Sequence, residues 1–274
     1  MTTSMGKTLR LARLFDQDTG TSVMLPMDHA NEEPDYVQLE HPIELITGLA
    51  GAGVNAFLFR RGLAAYAASA IAGRAAWVQR ITGRSGLSAD LRHDQLVIAA
   101  IEQALHNGAD AVVPTFFIGP RTESYLLPKL GAIADECDRL GIPLLAEVFP
   151  EGGPEAVPYN GPYTVDDLRM AVRVASEEGA DVIKTWYTGD PDSFSRVLDY
   201  SLVPVVVAGG PRADSERAVL EMVRGAMDAG ACGVAMGRKI WQSADAVAMA
   251  RAVIAVIRHG ASVDDAMRLL TPTE

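Results

Sequence analysis

One lysine draws the eye in a chain of 274 residues that has only four, Lys7, Lys129, Lys184 and Lys239. Lys184 lies inside DVIKTWYTGD, flanked by Val182, Ile183 and Trp186. Burial penalises an ammonium and lowers a lysine's pKa, which leaves an amine able to attack a carbonyl. The plain alternative is a buried ion pair with Asp28 or another carboxylate. Asp28 and His29 end the run VMLPMDHA. Asp28 can orient a substrate hydroxyl, pair with Lys184 or move a proton, or else cap the next loop. His29 reads as a pocket wall residue. Glu147, in PLLAEVFP, is either an acid/base near Lys184 or the partner of an arginine, and Phe149 shares its strand. Tyr187, three residues after Lys184, is a proton donor or a packing residue.

Two glycine-containing turns suit an anion. Gly209–Gly210 follow VVVA, and Gly237–Arg238 follow GVAM. Paired glycines let backbone N–H groups approach a phosphate, and an arginine adds a fork of donors. Either motif alone reads as a turn; both together favour a phosphorylated ligand. Arg60 and Arg61, after NAFLF, are further anion-binding candidates or a solvated rim. No GxGxxG, P-loop, HExxH, paired CxxC or GxSxG occurs, and the five histidines are scattered. Neither a metal site nor a cofactor is expected, which favours amine chemistry.

These residues need elements to aim them. Eight short apolar runs occur: Ser22–Met27, Asn55–Phe59, Ala76–Ile81, Ala111–Phe117, Pro143–Val148, Asp181–Trp186, Val203–Ala208 and Gly233–Met236. They lack strict alternation, as strands buried on both faces do, and helical patterns separate them. His93–Asn107 has apolar residues at 96, 97, 100, 101, 104 and 105 and predicts a helix. Thr164 and Asp167 are spaced as a capping box for another, running to Glu178. Ser193, after Asp190-Pro191, starts a third. Glycines at 108, 141, 179 and 230 each stand between a helical pattern and a strand, where a left-handed residue stops a helix. Repeated βα units over residues 1–274 predict a single α/β domain, a (β/α)8 TIM barrel, with a short helical extension over about 1–20. An open doubly wound sheet is the alternative. In a barrel the chemistry sits at the C-terminal ends of the strands, with phosphate after strands seven and eight, where the residues named above fall.

Composition bounds the partners. The chain is 49% hydrophobic and 22% charged, with formal net charge −11. An acidic surface argues against nucleic acid or anionic membrane, though not against a small anion in a local positive pocket. Cys137 and Cys232 form no metal motif and read as free thiols of a reducing compartment. The opening MTTSMGKTLRLARLFDQ reads as a basic amphipathic helix rather than a signal peptide, so cytoplasm is the expected location.

The motifs GKTLRLARLF, VMLPMDHA, DVIKTWYTGDPDSF, VPVVVAGGP and GVAMGRKIWQ resemble the archaeal-type class I aldolases, the DhnA or DeoC/LacD-like group. The resemblance runs over nearly the whole chain. It implies a Schiff base on Lys184, proton transfer assisted by Asp28, and phosphate held by Gly209, Gly210, Gly237 and Arg238. It also implies a homo-oligomer. The opening segment and TWYTGDPDSF are most similar to 2-amino-3,7-dideoxy-D-threo-hept-6-ulosonate synthases. They also resemble related actinobacterial enzymes that join dihydroxyacetone phosphate to aspartate semialdehyde for aminohydroxybenzoate-derived secondary metabolites. Fructose-bisphosphate aldolases resemble it closely too, and a second anion site at Arg60 or Arg61 would favour that activity. A thiolase-like acyl transfer, and a non-catalytic barrel binding a phosphorylated ligand, are the remaining readings. Three positions depart from the family pattern. Tyr-Pro-Arg-Gly becomes Phe149-Pro150-Glu151-Gly152, Asp-His-Gly becomes Asp28-His29-Ala30, and Gly-Arg-Asn becomes Gly237-Arg238-Lys239. The first removes a hydroxyl that serves proton transfer, so Glu147, Tyr187 or a water must stand in for it, or the reaction differs.

Overall fold

The computed structural model describes residues 4–31, 36–86, 95–119, 123–151, 163–210 and 215–271. Nine parallel strand segments form one sheet. They are β1 (Ser22–Pro26), β2 (Ala56–Phe59), β3 (Ala76–Arg80), β6 (Ala111–Val113), β7 (Thr115–Ile118), β8 (Leu145–Pro150), β9 (Val182–Trp186), β10 (Val205–Ala208) and β11 (Gly233–Ala235). Their order is β6-β3-β2-β1-β11-β10-β9-β8-β7. The two edges, β6 and β7, are consecutive in the chain and separated only by Pro114. Proline has no N–H for the ladder, so the fourth predicted strand registers as two pieces. The Pro114 carbonyl still accepts from Glu147 N at 3.0 Å, and Val112 bridges Leu144, so the sheet closes on itself. The result is the eight-membered barrel expected from the sequence.

Helices pack outside the strands: α2 (Pro42–Gly51), α3 (Arg61–Ile71), α4 (Ile101–His106), α5 (Glu123–Leu140), α6 (Val165–Glu177), α7 (Pro191–Leu198), α8 (Glu216–Asp228) and α10 (Ala246–His259) among them. The capping box forms as its spacing predicts, with Thr164 accepting from Asp167 N and Asp167 from Thr164 N. Asp190 caps α7 by accepting from Ser193 N. Gly108, Gly141, Gly179 and Gly230 take φ of +91°, +66°, +100° and +100°, which a residue with a Cβ adopts only at a cost.

The helix expected over His93–Asn107 is shorter. His93 and Asp94 lie outside the described residues, and α4 begins only at Ile101. Leu96–Val97 (β5) instead pair antiparallel with Thr82–Gly83 (β4), and Ile98 N bonds the Ile81 carbonyl at 2.8 Å. The β-branched Val97 and Ile98 favour this hairpin at the barrel mouth over a helical turn.

Inside the barrel, side chains alternate by two along each strand. Met24, Leu58, Val78, Val113, Leu145 and Val182 belong to one apolar interior cluster. The outward row, such as Phe57, Ile183 and Val207, packs with helix residues such as Leu168 and Val223 in a second. The N-terminal helix α1 (Met5–Leu14) closes the bottom, with Leu14 in the interior cluster. Lys7 fastens it through ion pairs to Asp138 and Asp181. With one end plugged by Leu14, the open cavity is at the C-terminal ends of the strands. Among the described residues no helix is long and apolar enough to cross a membrane.

Candidate active site

One step above the apolar floor, the inward row turns polar. Val78 is followed by Arg80, Val113 by Thr115, Leu145 by Glu147 and Val182 by Lys184, each two residues on. Register then decides which of them meet. Glu147 is paired with Lys184 across β8 and β9, and Thr115 with Glu147 across β7 and β8. Lys184 Nζ and Glu147 Oε1 form an ion pair. The other carboxylate oxygen, Oε2, receives Arg80 Nη2 at 2.7 Å and the Thr115 hydroxyl. Arg80 Nε donates to Asp28 Oδ2 at 2.5 Å, and its Nη1 to Thr115 Oγ1. Lys184, Glu147, Arg80 and Asp28 are all buried, at 4, 7, 7 and 9% exposure. The lysine therefore sits in an ionic layer of two cations and two anions, rather than in the apolar surroundings its sequence neighbours suggest. Ile183 belongs to the outward row, and Val182 belongs to the floor.

Burial alone would favour the neutral acids. Against that, Arg80 and then Lys184 act on Glu147, and its pKa falls to about 2. Asp28 is likewise opposed by burial, but the Arg80 guanidinium holds its carboxyl well below the usual range. Both acids are therefore ionised at neutral pH. His29 Nδ1 lies 3.7 Å from Asp28 Oδ1, and among the described residues that nitrogen has no hydrogen-bond partner. Burial pushes the imidazole down to about 4, with Lys184 and Arg238 also opposing its charging and Asp28 favouring it. His29 is therefore neutral at neutral pH. Its ring sits near Tyr36 and Trp241, with centroids 6.3 and 6.1 Å away.

The cavity above this layer has a volume of about 370 Å³. Gly209 and Gly210 after β10, and Gly237 and Arg238 after β11, line the side next to β9. A Cβ on Gly237 would stand 2.1 Å from the Pro26 carbonyl oxygen and 2.7 Å from Trp241 Nε1. Trp241 Nε1 donates to that same carbonyl at 3.0 Å, so glycine is what lets the α9 turn (Arg238–Trp241) seat against the end of β1. Phe117, Phe149 and Trp186 form an aromatic wall, with Phe149 stacked on Trp186 at 4.2 Å and Trp186 on Tyr163 at 5.0 Å.

A lysine and a carboxylate side by side at the mouth of a closed parallel barrel, beside glycine turns, fit imine chemistry on a phosphorylated carbonyl compound. Comparison with known proteins agrees. A family model described as DeoC/LacD family aldolase matches residues 22–243. The chain belongs to the DeoC/LacD aldolase family. Its curated relatives include the 2-amino-3,7-dideoxy-D-threo-hept-6-ulosonate synthase of Halobacterium salinarum, 35% identical over 97% of this chain and 96% of that one. The 2-amino-4,5-dihydroxy-6-oxo-7-(phosphonooxy)heptanoate synthase of Streptomyces griseus is 32% identical over 89% and 87%. A solved Schiff-base-forming fructose-1,6-bisphosphate aldolase superposes with a TM-score of 0.81, at 30% identity over 92% of this chain and 99% of that one. This aldolase is therefore of class I.

Of the residues singled out in the sequence, Lys184, Asp28, Glu147, His29, Phe149, Arg60, Gly209, Gly210, Gly237 and Arg238 all line the one cavity. Arg61 does not; it begins α3 and faces a crevice on the outer surface. Tyr187 does not either, and the reading of it as a proton donor is corrected. The alternation that aims Lys184 and Trp186 inward sends Tyr187 outward. Its ring meets Phe194 of α7 edge-on at 5.2 Å, and its hydroxyl occupies the space beside Gly225 of α8, where a Cβ would lie 2.5 Å away. Burial, with Asp190 and Asp228 nearby, pushes its pKa up to about 12. The sequence reading passed over Arg80 and Thr115. A charged residue in AWVQRI, in phase with the inward-facing Val78, was the available signal. Gly152, of the Phe-Pro-Glu-Gly segment, lies outside the described residues.

Proposed function

We propose that this aldolase joins a keto-phosphate donor, dihydroxyacetone phosphate, to an aldehyde through an imine on Lys184. The observation that carries the reading is the Lys184–Glu147 ion pair at the base of a cavity bordered by Gly209, Gly210 and Gly237. Glu147 accepts the ammonium proton, and the freed amine adds to the donor carbonyl to give a carbinolamine. Glu147 returns that proton to the departing hydroxyl, and loss of water leaves an iminium, whose positive nitrogen makes the neighbouring C–H acidic. A base removes that proton, the enamine carbon attacks the aldehyde, and water releases product and lysine. Asp28, ionised by Arg80, orients donor hydroxyls and moves protons. The glycine turns and Arg238 hold the phosphate, so binding remote from the reacting carbon fixes its position. Tyr187 faces away from this space, and Phe149 carries no hydroxyl; among the described residues, Glu147 and Asp28 are the carboxylates at hand beside the lysine.

The Streptomyces relative's product name supports one choice of acceptor. Cutting 2-amino-4,5-dihydroxy-6-oxo-7-(phosphonooxy)heptanoate between carbons 4 and 5 gives dihydroxyacetone phosphate and aspartate semialdehyde. We take this pair as the first reading, with a role in aminohydroxybenzoate-type secondary metabolism. Fructose-bisphosphate aldolase activity is the second, favoured by Arg60 in the cavity and by the solved relative. The test incubates the protein with dihydroxyacetone phosphate and borohydride and reads intact mass. The wild type gains one reduced adduct and Lys184→Ala gains none; an adduct on Lys184→Ala, or none on the wild type, overturns the assignment. Parallel assays with aspartate semialdehyde and glyceraldehyde 3-phosphate then separate the two acceptors.

A further inference from the structure

The buried ionic layer of Lys184, Glu147, Asp28 and Arg80 holds one charged group to which the chemistry above gives no step of its own. Arg80 reaches from the end of β3 into the middle of the polar layer, and its nitrogens address three other strands or strand ends. Nε donates to Asp28 after β1 at 2.5 Å, Nη1 to Thr115 on β7, and Nη2 meets Glu147 on β8 at 2.7 Å. We propose that Arg80 is a positioning residue, which keeps Asp28 and Glu147 as two separate carboxylates and turns one oxygen of Glu147 toward Lys184. The inference rests on the imine reading of Lys184.

The geometry argues it directly. Glu147 has two oxygens, and Oε2 is occupied by Arg80 and by the Thr115 hydroxyl. Only Oε1 is left for Lys184, and that is where Lys184 Nζ lies. A planar guanidinium fork sets this orientation in a way a point charge does not. Charge balance argues it again. With Arg80 the buried layer holds two anions and two cations. Without it, two carboxylates face one ammonium, and one of them takes up a proton near neutral pH, as like charges in a shared buried site do. A protonated Glu147 cannot accept the lysine's proton. Among the described residues, the charged and titratable groups around Glu147 are Lys184 from β9, Arg80 from β3, and Asp28 and His29 after β1, with Arg60, Arg84, Arg238 and Lys239 lining the same cavity. His29, held at about 4, stays neutral above that pH and does not supply the missing cation.

The test is a pH series of adduct formation with dihydroxyacetone phosphate and cyanoborohydride, followed by intact mass on wild type, Arg80→Gln and Arg80→Lys. For Arg80→Gln the expected result is a loss of about tenfold or more in trapping rate near pH 7 and an acid limb about one pH unit or more higher. Arg80→Lys restores the charge and returns the limb to its wild-type position, but not the rate, because the fork is missing. An Arg80→Gln profile that keeps the wild-type limb with the same proportional loss at every pH overturns the proposal. If Arg80→Gln does not fold, Arg80→Lys decides: a trapping rate equal to wild type overturns it, and a loss of about tenfold with the limb in place supports it. If the wild type itself forms no adduct, the imine reading fails and this one with it; a trapped wild type with an unmoved Arg80→Gln limb sinks this proposal alone.

Discussion

Replacing Glu147 by Gln keeps the side chain's shape and removes its charge. In the native protein Glu147 is wedged between Arg80 and Lys184, so the variant leaves two buried cations with Asp28 as their remaining partner in the layer. A carboxyl held at about 2 instead of its ordinary 4.5 gains roughly 3 kcal/mol in the ionised form, at about 1.4 kcal/mol per pH unit. That agrees with the roughly 3–5 kcal/mol typical of breaking a buried ion pair from one side. For a domain of this size it corresponds to a melting temperature lower by about 6–12 °C. The sign of the pH dependence is fixed. Because the folded-state pKa is depressed, this stabilisation is complete above the unfolded value near 4.5 and is lost as pH falls toward 2. Wild type and Glu147→Gln should therefore differ most at neutral pH and converge in acid. Thermal unfolding of both proteins at about pH 7 and about pH 3 reads the difference. A gap below about 1 kcal/mol at neutral pH, or one that persists undiminished in acid, refutes the account. The same variant should form the trapped adduct about 100-fold more slowly, since general-base help from the Lys184 partner is gone.

Other outcomes follow from placement. Tyr187→Phe should leave adduct formation and turnover unchanged, because the hydroxyl lies outside the barrel beside Gly225; a large loss of kcat would return Tyr187 to the reaction. Gly237→Ala forces a Cβ against the Pro26 carbonyl. It should displace the α9 turn, lower the melting temperature by several degrees and raise KM for dihydroxyacetone phosphate by about tenfold or more; unchanged KM would remove this turn from phosphate binding.

What the sequence determined by itself was local. Helix stops at Gly108, Gly141, Gly179 and Gly230 follow from the conformation a glycine alone adopts cheaply, and the Thr164 cap follows from hydrogen bonds three residues apart. Those signals, with the spacing of apolar runs, led to the barrel, and a barrel puts Lys184, Asp28 and the glycine turns at one end. The reach of such patterns ends where partners far apart in the chain are chosen. Near Ile98, the carbonyl of Ile81 decided against a longer helix, a competition between distant backbone groups that the periodicity of residues 93–107 does not contain. Tyr187 stayed open between proton donor and packing residue for want of phase: once Lys184 points inward, a position three residues later points out and packs against Phe194. The pairing of Glu147 with Lys184 depends on the register of β8 against β9, and the bridging by Arg80 on closure of the whole sheet. Strand propensity fixes neither, because the same apolar runs would pair as well one step out of register. Only the closed barrel, with side chains aimed in from every strand, makes one lysine, two acids and one arginine neighbours.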